Sequence, residues 1–439
     1  MTNRLPGAAR SSLLLFEGLP NRGKLIRVGT AVLFLLLITS FLARLYHFDP
    51  PTRRAEESPT ISRSEPLACE FENECGSWGN AYARMHAAIL RGDPGVPPRL
   101  AVSIASDTGT ADRLTGIVTG FLYALLSGFD IALESPYINW TAPHYDPLLY
   151  EHLKLTWEGI KNNPNPRIAD PRVNKEIYDS FYWTNRDPAN TFLTSNLSTY
   201  PNEKPSHVFF ASNRGGSYRL FSNPYHRQQL LDMGLRPEAT FRCIFHYLFR
   251  PRPAVEKIMA PLRAKIHQQG SLVIGIKIRV GDAIFTGGDT TSVEAFAHYF
   301  DCAAQIQATR AYPGQRVVWH LVTESMSLRQ KAKEKYGDLL VTDLEHEATH
   351  AALCAEAAAG KVCKDSHGLS PLETGFADML LFSEADFHVI PSNSGFGMQG
   401  AWLHRHDFGH IYMIGDGPRS CGVFDYDSNE ALAISWSGI

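Results

Sequence analysis

The residues of this chain with the most chemical potential gather where apolar runs end. Ser271 to Val280 reads SLVIGIKIRV, and the segment closes on Lys277-Ile278-Arg279-Val280-Gly281-Asp282. In an extended strand, alternate side chains share a face, so Lys277 and Arg279 point one way while Ile276 and Ile278 point into a core. Two cations at the carboxyl end of a buried strand are costly without an anion beside them. A diphosphate is a natural partner: arginine grips it with a fork of hydrogen bonds, and lysine meets it as a point charge. Gly281 lets the backbone turn close against a ligand. The same letters also fit an edge strand in which Arg279 pairs with Asp282 or another carboxylate.

Two further strand ends carry polar groups. Pro391-Ser392-Asn393-Ser394-Gly395-Phe396-Gly397 follows an apolar run and precedes a helical pattern. Its N–H groups and the hydroxyls of Ser392 and Ser394 suit phosphate oxygens at a helix N-terminus. An ordinary glycine turn has the same composition. Thr323-Glu324-Ser325 ends another run; Glu324 there would receive donors from a base or a ribose, or the segment is a helix N-cap. Asp378 and Asp386 read as structural. Asp425-Tyr426-Asp427 has the letters of a metal-binding DxD but follows no clear strand. His346 and His350 stand four apart in a polar stretch and read as solvated. No metal site is expected.

The elements that must hold these residues alternate between buried strands and helices. Leu100 to Ala105 is a strand, Ala111 to Gly128 a helix with apolar residues at helical spacing, and Phe129 to Leu133 the next strand. A second series follows Pro251-Arg252-Pro253. It has helices near 254–267, 292–309, 327–336 and 372–384, and strands near 271–280, 316–323, 339–342 and 387–390. A further helix starts at Met398. This pattern predicts an α/β fold with parallel sheets, in two Rossmann-like halves spanning 67–250 and 251–439. Ligands of such folds sit outside the carboxyl ends of the strands, where the polar residues lie.

The first 66 residues differ. Val28 to Ala43 carries no charge, and Leu45-Tyr46-His47-Phe48 extends it past Arg44. A membrane-spanning helix needs about 20 residues at about 1.5 Å each, so 28–48 suffices if Arg44 snorkels to the interface. Arg4, Arg10, Arg22, Lys24 and Arg27 precede it against Glu17 alone, which predicts a cytoplasmic tail over 1–27. A cleaved signal peptide is the alternative, and either reading sends the remainder to the secretory lumen. Residues 49–66, rich in proline, serine and charge, read as a stem.

Seven cysteines all follow the apolar segment, which suits an oxidising lumen. Cys69 with Cys75 and Cys354 with Cys363 are plausible local pairs. Asn139-Trp140-Thr141 and Asn196-Leu197-Ser198 are N-glycosylation sequons. The net charge of −3 provides no basic field for nucleic acid.

Taken together, these residues resemble the GDP-fucose-dependent fucosyltransferase superfamily, which includes xyloglucan, α1,6- and protein O-fucosyltransferases. Arg279-Val280-Gly281-Asp282 is similar to that superfamily's HxRxGD-type motif, with Lys277 where histidine is common. Ser392 to Gly397 is similar to its late serine/glycine/phenylalanine loop. Asp112-Arg113-Leu114 through Leu126 is similar to its N-terminal segment, although the loop Ser106 to Asp112 is less glycine-rich than the plant pattern. The stretch from Asn213 to Pro251 is similar to the plant and fungal branch. The resemblance implies a GT-B-like fold, two Rossmann-like domains facing a cleft, with the second half holding GDP-fucose and the first the acceptor.

It further implies an inverting transfer to a glycan that needs no metal or other cofactor. Arg279 and Asp282 would be catalytic. Lys277, Gly281, Thr323, Glu324, Ser392, Ser394, Gly395, Phe396, Gly397 and Arg113 would bind substrate. Asp107, Asp112, Glu134 and Asp282 are the positional candidates for a base. With the anchor, the expectation is a single-pass type II Golgi membrane enzyme. A transferase using another nucleotide sugar, or a catalytically silent membrane glycan-binding protein, is the alternative.

Overall fold

The computed structural model describes residues 74–134, 192–347 and 371–423, less positions 98, 105–108, 129, 201–206, 212–214, 250, 252, 269, 282–283, 285–287, 393, 406–407 and 416–420. The tail, apolar segment and stem therefore lie outside it, as do Asp107, Asp282, the Asn139 sequon, His350 and Asp425 to Asp427. Among the described residues no helix is long and apolar enough to cross a membrane.

The chain opens with helix α1 (Trp78–Arg91), then strand β1 (Leu100–Ile104), helix α2 (Thr110–Ser127) and strand β2 (Asp130–Glu134). Strand β3 (His207–Ala211) returns to the other side of β1, giving a parallel sheet in the order β2-β1-β3. Leu100 is in register with Asp130 on one side and His207 on the other. The fifteen buried residues of α2 leave it almost no solvent face, in keeping with its near-continuous run of small and apolar residues. Helices α3 (Pro237–Leu248) and α4 (Pro253–Ile266) lead to the second sheet.

That sheet contains β4 (Leu272–Ile278), β5 (Val317–Thr323), β6 (Leu340–Val341), β7 (Phe387–Pro391), β8 (Ile411–Ile414) and β9 (Cys421–Val423), interleaved with α5 (Ala297–Arg310), α6 (Met326–Tyr336), α7 (Pro371–Ser383) and α8 (Gly395–Trp402). Its order is β6-β5-β4-β7-β8-β9, parallel except for the antiparallel β8–β9 pair. The fold is thus mixed α/β with parallel-dominated sheets. Strand β4 has neighbours on both sides, so it is not an edge strand.

The period of two along β4 sorts its residues between two apolar layers. Leu272, Ile274, Ile276 and Ile278 pack with Phe300, Ala303 and Ile306 of α5. Val273 packs on the opposite face in a larger cluster with α4, α7 and α8. Each fully buried side chain of this kind contributes about 1.5–3 kcal/mol. Lys277 shares the face of Val273, so a lysine replaces the aliphatic residue that the alternation calls for. The larger cluster continues from Val273 and Ile390 to Ala101, Leu114 and Phe121. Across it, the Gln399 amide of α8 donates to the carbonyl of Ala111 and the hydroxyl of Thr115 on α2. Residues Ser64–Ile439 accordingly form one compact unit.

The local pairing expected for Cys69 with Cys75 is overturned. Cys75 is bonded to Cys243 of α3, and Cys302 of α5 to Cys421 of β9. The first bond ties the segment before α1 to α3, where the rings of Trp78, Tyr82, Phe121 and Tyr247 pack tilted or edge-on with centroids 4.7–6.1 Å apart. Tyr247 also donates its hydroxyl to the Gly79 carbonyl at 2.8 Å. Cysteines 69, 354 and 363 are outside the described residues. Peptide mapping under non-reducing conditions should recover Cys75 linked to Cys243. Breaking that bond by Cys75→Ala with Cys243→Ala should cost roughly 2–5 kcal/mol in urea unfolding. A Cys69–Cys75 peptide would contradict this arrangement.

Candidate functional site

Parallel pairing decides what meets at the carboxyl end of the second sheet. Ile278 of β4 is in register with Thr323 of β5, so the residues that follow, Arg279 and Glu324, leave the sheet side by side. Glu324 reaches across to its neighbour. Its Oε1 accepts from the backbone N–H of Val280 at 2.7 Å and of Gly281 at 3.1 Å, and its Oε2 accepts from Lys277 Nζ at 3.1 Å. Gly281 takes φ +106°, a conformation that a side chain would strain. Arg279 is exposed just past the strand end.

The lysine and glutamate side chains are only 8% and 14% exposed, so each carries a charge that is expensive without the other. Burial raises the Glu324 carboxyl, but the Lys277 ammonium and the Gly281 N–H outweigh it and hold the group below its ordinary value of 4.5. The Lys277 ammonium also lies 4.8 Å from the centre of the Phe396 ring, a cation–π contact. Lys277 is thus neutralised by Glu324, and Arg279 follows it at the exposed start of the turn.

The Ser392 to Gly397 loop arrives from β7. Ser394 is the N-cap of α8, its hydroxyl accepting from the Gly397 N–H at 3.1 Å. That cap starts the helix at Gly395 rather than at Met398, three residues earlier than the apolar pattern alone indicates. Gly397 sits against the lysine: a Cβ there would come within 3.1 Å of Lys277 Cγ. A Cβ on Gly395 would lie 3.6 Å from the Ala111 Cβ and 3.8 Å from Asp112 Oδ1. The first turn of α2, with Asp112 and the buried Arg113, is therefore beside the loop.

The structure thus brings Glu324 onto Lys277 and Gly281, Lys277 onto Phe396 and Gly397, and Gly395 next to Asp112, with Arg279 two residues past the lysine. Ser392 donates its N–H to the Ile414 carbonyl at 2.9 Å, which fixes the loop to β8. Thr323 is buried, and its hydroxyl accepts from the Ser325 N–H at 3.3 Å.

Beneath this layer are groups that the sequence reading does not single out. Arg329 of α6 is fully buried. It donates to the Thr323 carbonyl at 2.7 Å, to the Asp343 carbonyl at 2.9 Å and to Asp378 Oδ2 at 2.7 Å. It so ties the ends of β5 and β6 to α7 and gives Asp378 its structural role. Asp289 accepts from the Ser325 hydroxyl at 2.8 Å and the Ser327 N–H at 2.9 Å, which fixes the start of α6 directly after Glu324. Burial raises the Asp289 carboxyl, but those donors and Thr291 bring it below its ordinary value. Asp289-Thr290-Thr291 is an Asx-turn signal legible in the sequence. Arg329 gives no such local signal. Asp386 accepts from the Val273 N–H at 2.8 Å, as a structural residue would. Among the described residues no three histidines, cysteines or acids are placed to hold a metal ion.

Removing one partner of the Lys277–Glu324 pair leaves a buried charge uncompensated. Glu324→Ala should lower stability by roughly 3–5 kcal/mol, and Lys277→Met with Glu324→Leu should recover most of it. Urea unfolding of the two variants at neutral pH measures this; equal stabilities would contradict the pairing. A depressed folded-state value means that the stabilisation is complete above pH 4.5 and fades as pH falls through the lower, folded value. Glu324→Gln should remove that part of the acid dependence.

No protein-family model matches the chain, and no curated protein matches it. The chain is similar in fold to an Arabidopsis thaliana FUT1 mutant solved in complex with GDP. Sequence identity is 14%, the alignment covers 81% of this chain and 80% of that one, and the TM-score is 0.50. It also aligns with an α-1,6-fucosyltransferase, NodZ, soaked with GDP-fucose, at 15% identity over 75% of this chain and 96% of that one, TM-score 0.41. NodZ from Bradyrhizobium gives 15% identity over 73% and 97%, TM-score 0.41.

Proposed function

We propose that this protein is a glycosyltransferase that moves fucose from GDP-fucose to a hydroxyl of a glycan, inverting the anomeric carbon and using no metal. The observation that carries the reading is Arg279. It leaves a central parallel strand at its carboxyl end, on a turn clamped by Glu324, two residues after the lysine that meets Phe396 and Gly397 at the start of α8. The fold likeness to a GDP-bound FUT1 and the motif resemblance support the same reading.

In this mechanism Arg279 grips the diphosphate and stabilises the charge that grows on the departing GDP as the bond to the fucose C1 breaks. The N–H groups of the first turn of α8 offer the partial positive charge of a helix end to the same oxygens. Lys277 contributes through its effect on the turn and on Phe396, because its charge is already matched by Glu324. The acceptor hydroxyl must lose a proton to a base or react through a loose transition state. Asp112 is beside Gly395 of the loop, and Asp282 follows Gly281 in the sequence.

The reading extends to the whole chain. The two sheets correspond to two Rossmann-like domains of a GT-B arrangement, divided near residue 251. Residues 28–48 anchor the chain in the Golgi membrane as a type II protein, and the unit from Ser64 onward is lumenal.

Calorimetric titration with GDP and with UDP tests the donor: GDP should bind and UDP should not. Arg279→Ala should retain the unfolding transition of the parent while losing at least about 100-fold of GDP-fucose turnover. Full activity of that variant, or binding of UDP with GDP inert, would overturn the proposal.

A further inference from the structure

The second sequon, Asn196-Leu197-Ser198, is held in a turn fixed by side-chain and main-chain hydrogen bonds. Asn196 is half-buried, between exposed residues at 193, 194 and 199. Its side-chain oxygen accepts from the Ser198 N–H at 3.1 Å and from the Ser198 hydroxyl at 2.5 Å. Its main-chain carbonyl accepts from Thr199. Leu197 anchors the turn: its side chain is buried, its N–H donates to His226 Nε2 at 2.7 Å, and its carbonyl accepts from the Ser127 hydroxyl at 3.0 Å. The Asn196 amide nitrogen is left out of these bonds, and it is the atom to which a glycan attaches.

We infer that Asn196 is an N-glycosylation site of this protein, modified in the oxidising lumen in which Cys75–Cys243 and Cys302–Cys421 form. The chemistry is transfer of an oligosaccharide from a polyisoprenyl diphosphate donor. A bond forms between Asn196 Nδ2 and the sugar C1 while the C1–O bond to the diphosphate breaks. The lipid diphosphate leaves with the electron pair, and the amide proton passes to the transferring enzyme's base.

The fold accommodates the product without obstructing the site above. Ser127 and Tyr123, which bond the Leu197 and Tyr200 carbonyls, lie at the C-terminal end of α2, whereas Asp112 at its first turn faces Gly395. An 18-residue helix is about 27 Å long, so the glycan sits about a helix length from the contact of Asp112 with Gly395. The inference rests on the lumenal placement proposed above, and the experiment separates the two.

The full chain is expressed in a eukaryotic secretory host and digested without reduction, and the peptide containing Asn196 is mapped before and after peptide N-glycosidase F. The expected result is a glycan on that peptide, with asparagine converted to aspartate on enzymatic release. Asn196→Gln and Ser198→Ala should abolish it, Ser198→Thr should keep it, and Asn196→Gln should leave turnover of GDP-fucose within about twofold. A Cys75–Cys243 peptide accompanied by unmodified Asn196 overturns the site while leaving the lumenal placement intact. Free thiols at both positions together with unmodified Asn196 overturn both.

Discussion

Glu324 accepts three hydrogen bonds from a single neighbouring strand end, one from Lys277 and two from the backbone of the turn that follows. A charged acceptor makes each of these worth about 1.5–3 kcal/mol, and all three vanish together if the carboxylate is removed. Because β4 and β5 are parallel and in register, the carboxylate reaches the turn without bending either strand. The position of Arg279 follows from that clamp. A guanidinium on an exposed turn is ordinarily mobile; here the two residues after it are tied down, and the residue two before it is buried. Under the proposed function this is how a site built without a metal keeps its cation in place.

The clamp depends in turn on where β5 ends. Arg329 grips the Thr323 carbonyl, and Asp289 fixes the helix start after Ser325, so Glu324 is held from both sides. On the opposite flank, Gly397 permits α8 to approach the Lys277 stem, and Ser394 sets where α8 begins. Gln399, one turn further along α8, reaches α2 and brings Asp112 beside the loop. A buried cation on the apolar face of β4 would otherwise be a fault in the core. The Glu324 carboxylate and the Phe396 ring make that cation the point about which three loops are arranged.

The fold was largely legible from periodicity. The runs around 272–278, 317–323 and 387–391 are short, β-branched and bounded by polar turns, and each became a parallel strand within one or two residues of its expected ends. Strands β8 and β9 were not read, because four and three residues leave too little pattern. Strand β3, at His207–Ala211, was not read either; it lies just before the stretch from Asn213 that was read only through resemblance. The site was legible in its letters and not in its contacts. Lys277 and Arg279 were expected to act together on an anion, yet Lys277 is matched by Glu324, 47 positions away. Cys75 and Cys243 are separated by 168 residues. Such pairings depend on tertiary register, which no local spacing encodes. The start of α8 differed for a simpler reason: Ser394 caps the helix before its apolar face begins.

A crystal structure with GDP bound would show which cation meets the diphosphate. The diphosphate should lie on the Arg279 guanidinium at the start of α8, with Lys277 Nζ still on Glu324 and the turn N–H groups unchanged. A lysine withdrawn from Glu324 and bonded to phosphate, or GDP bound away from this turn, would contradict it.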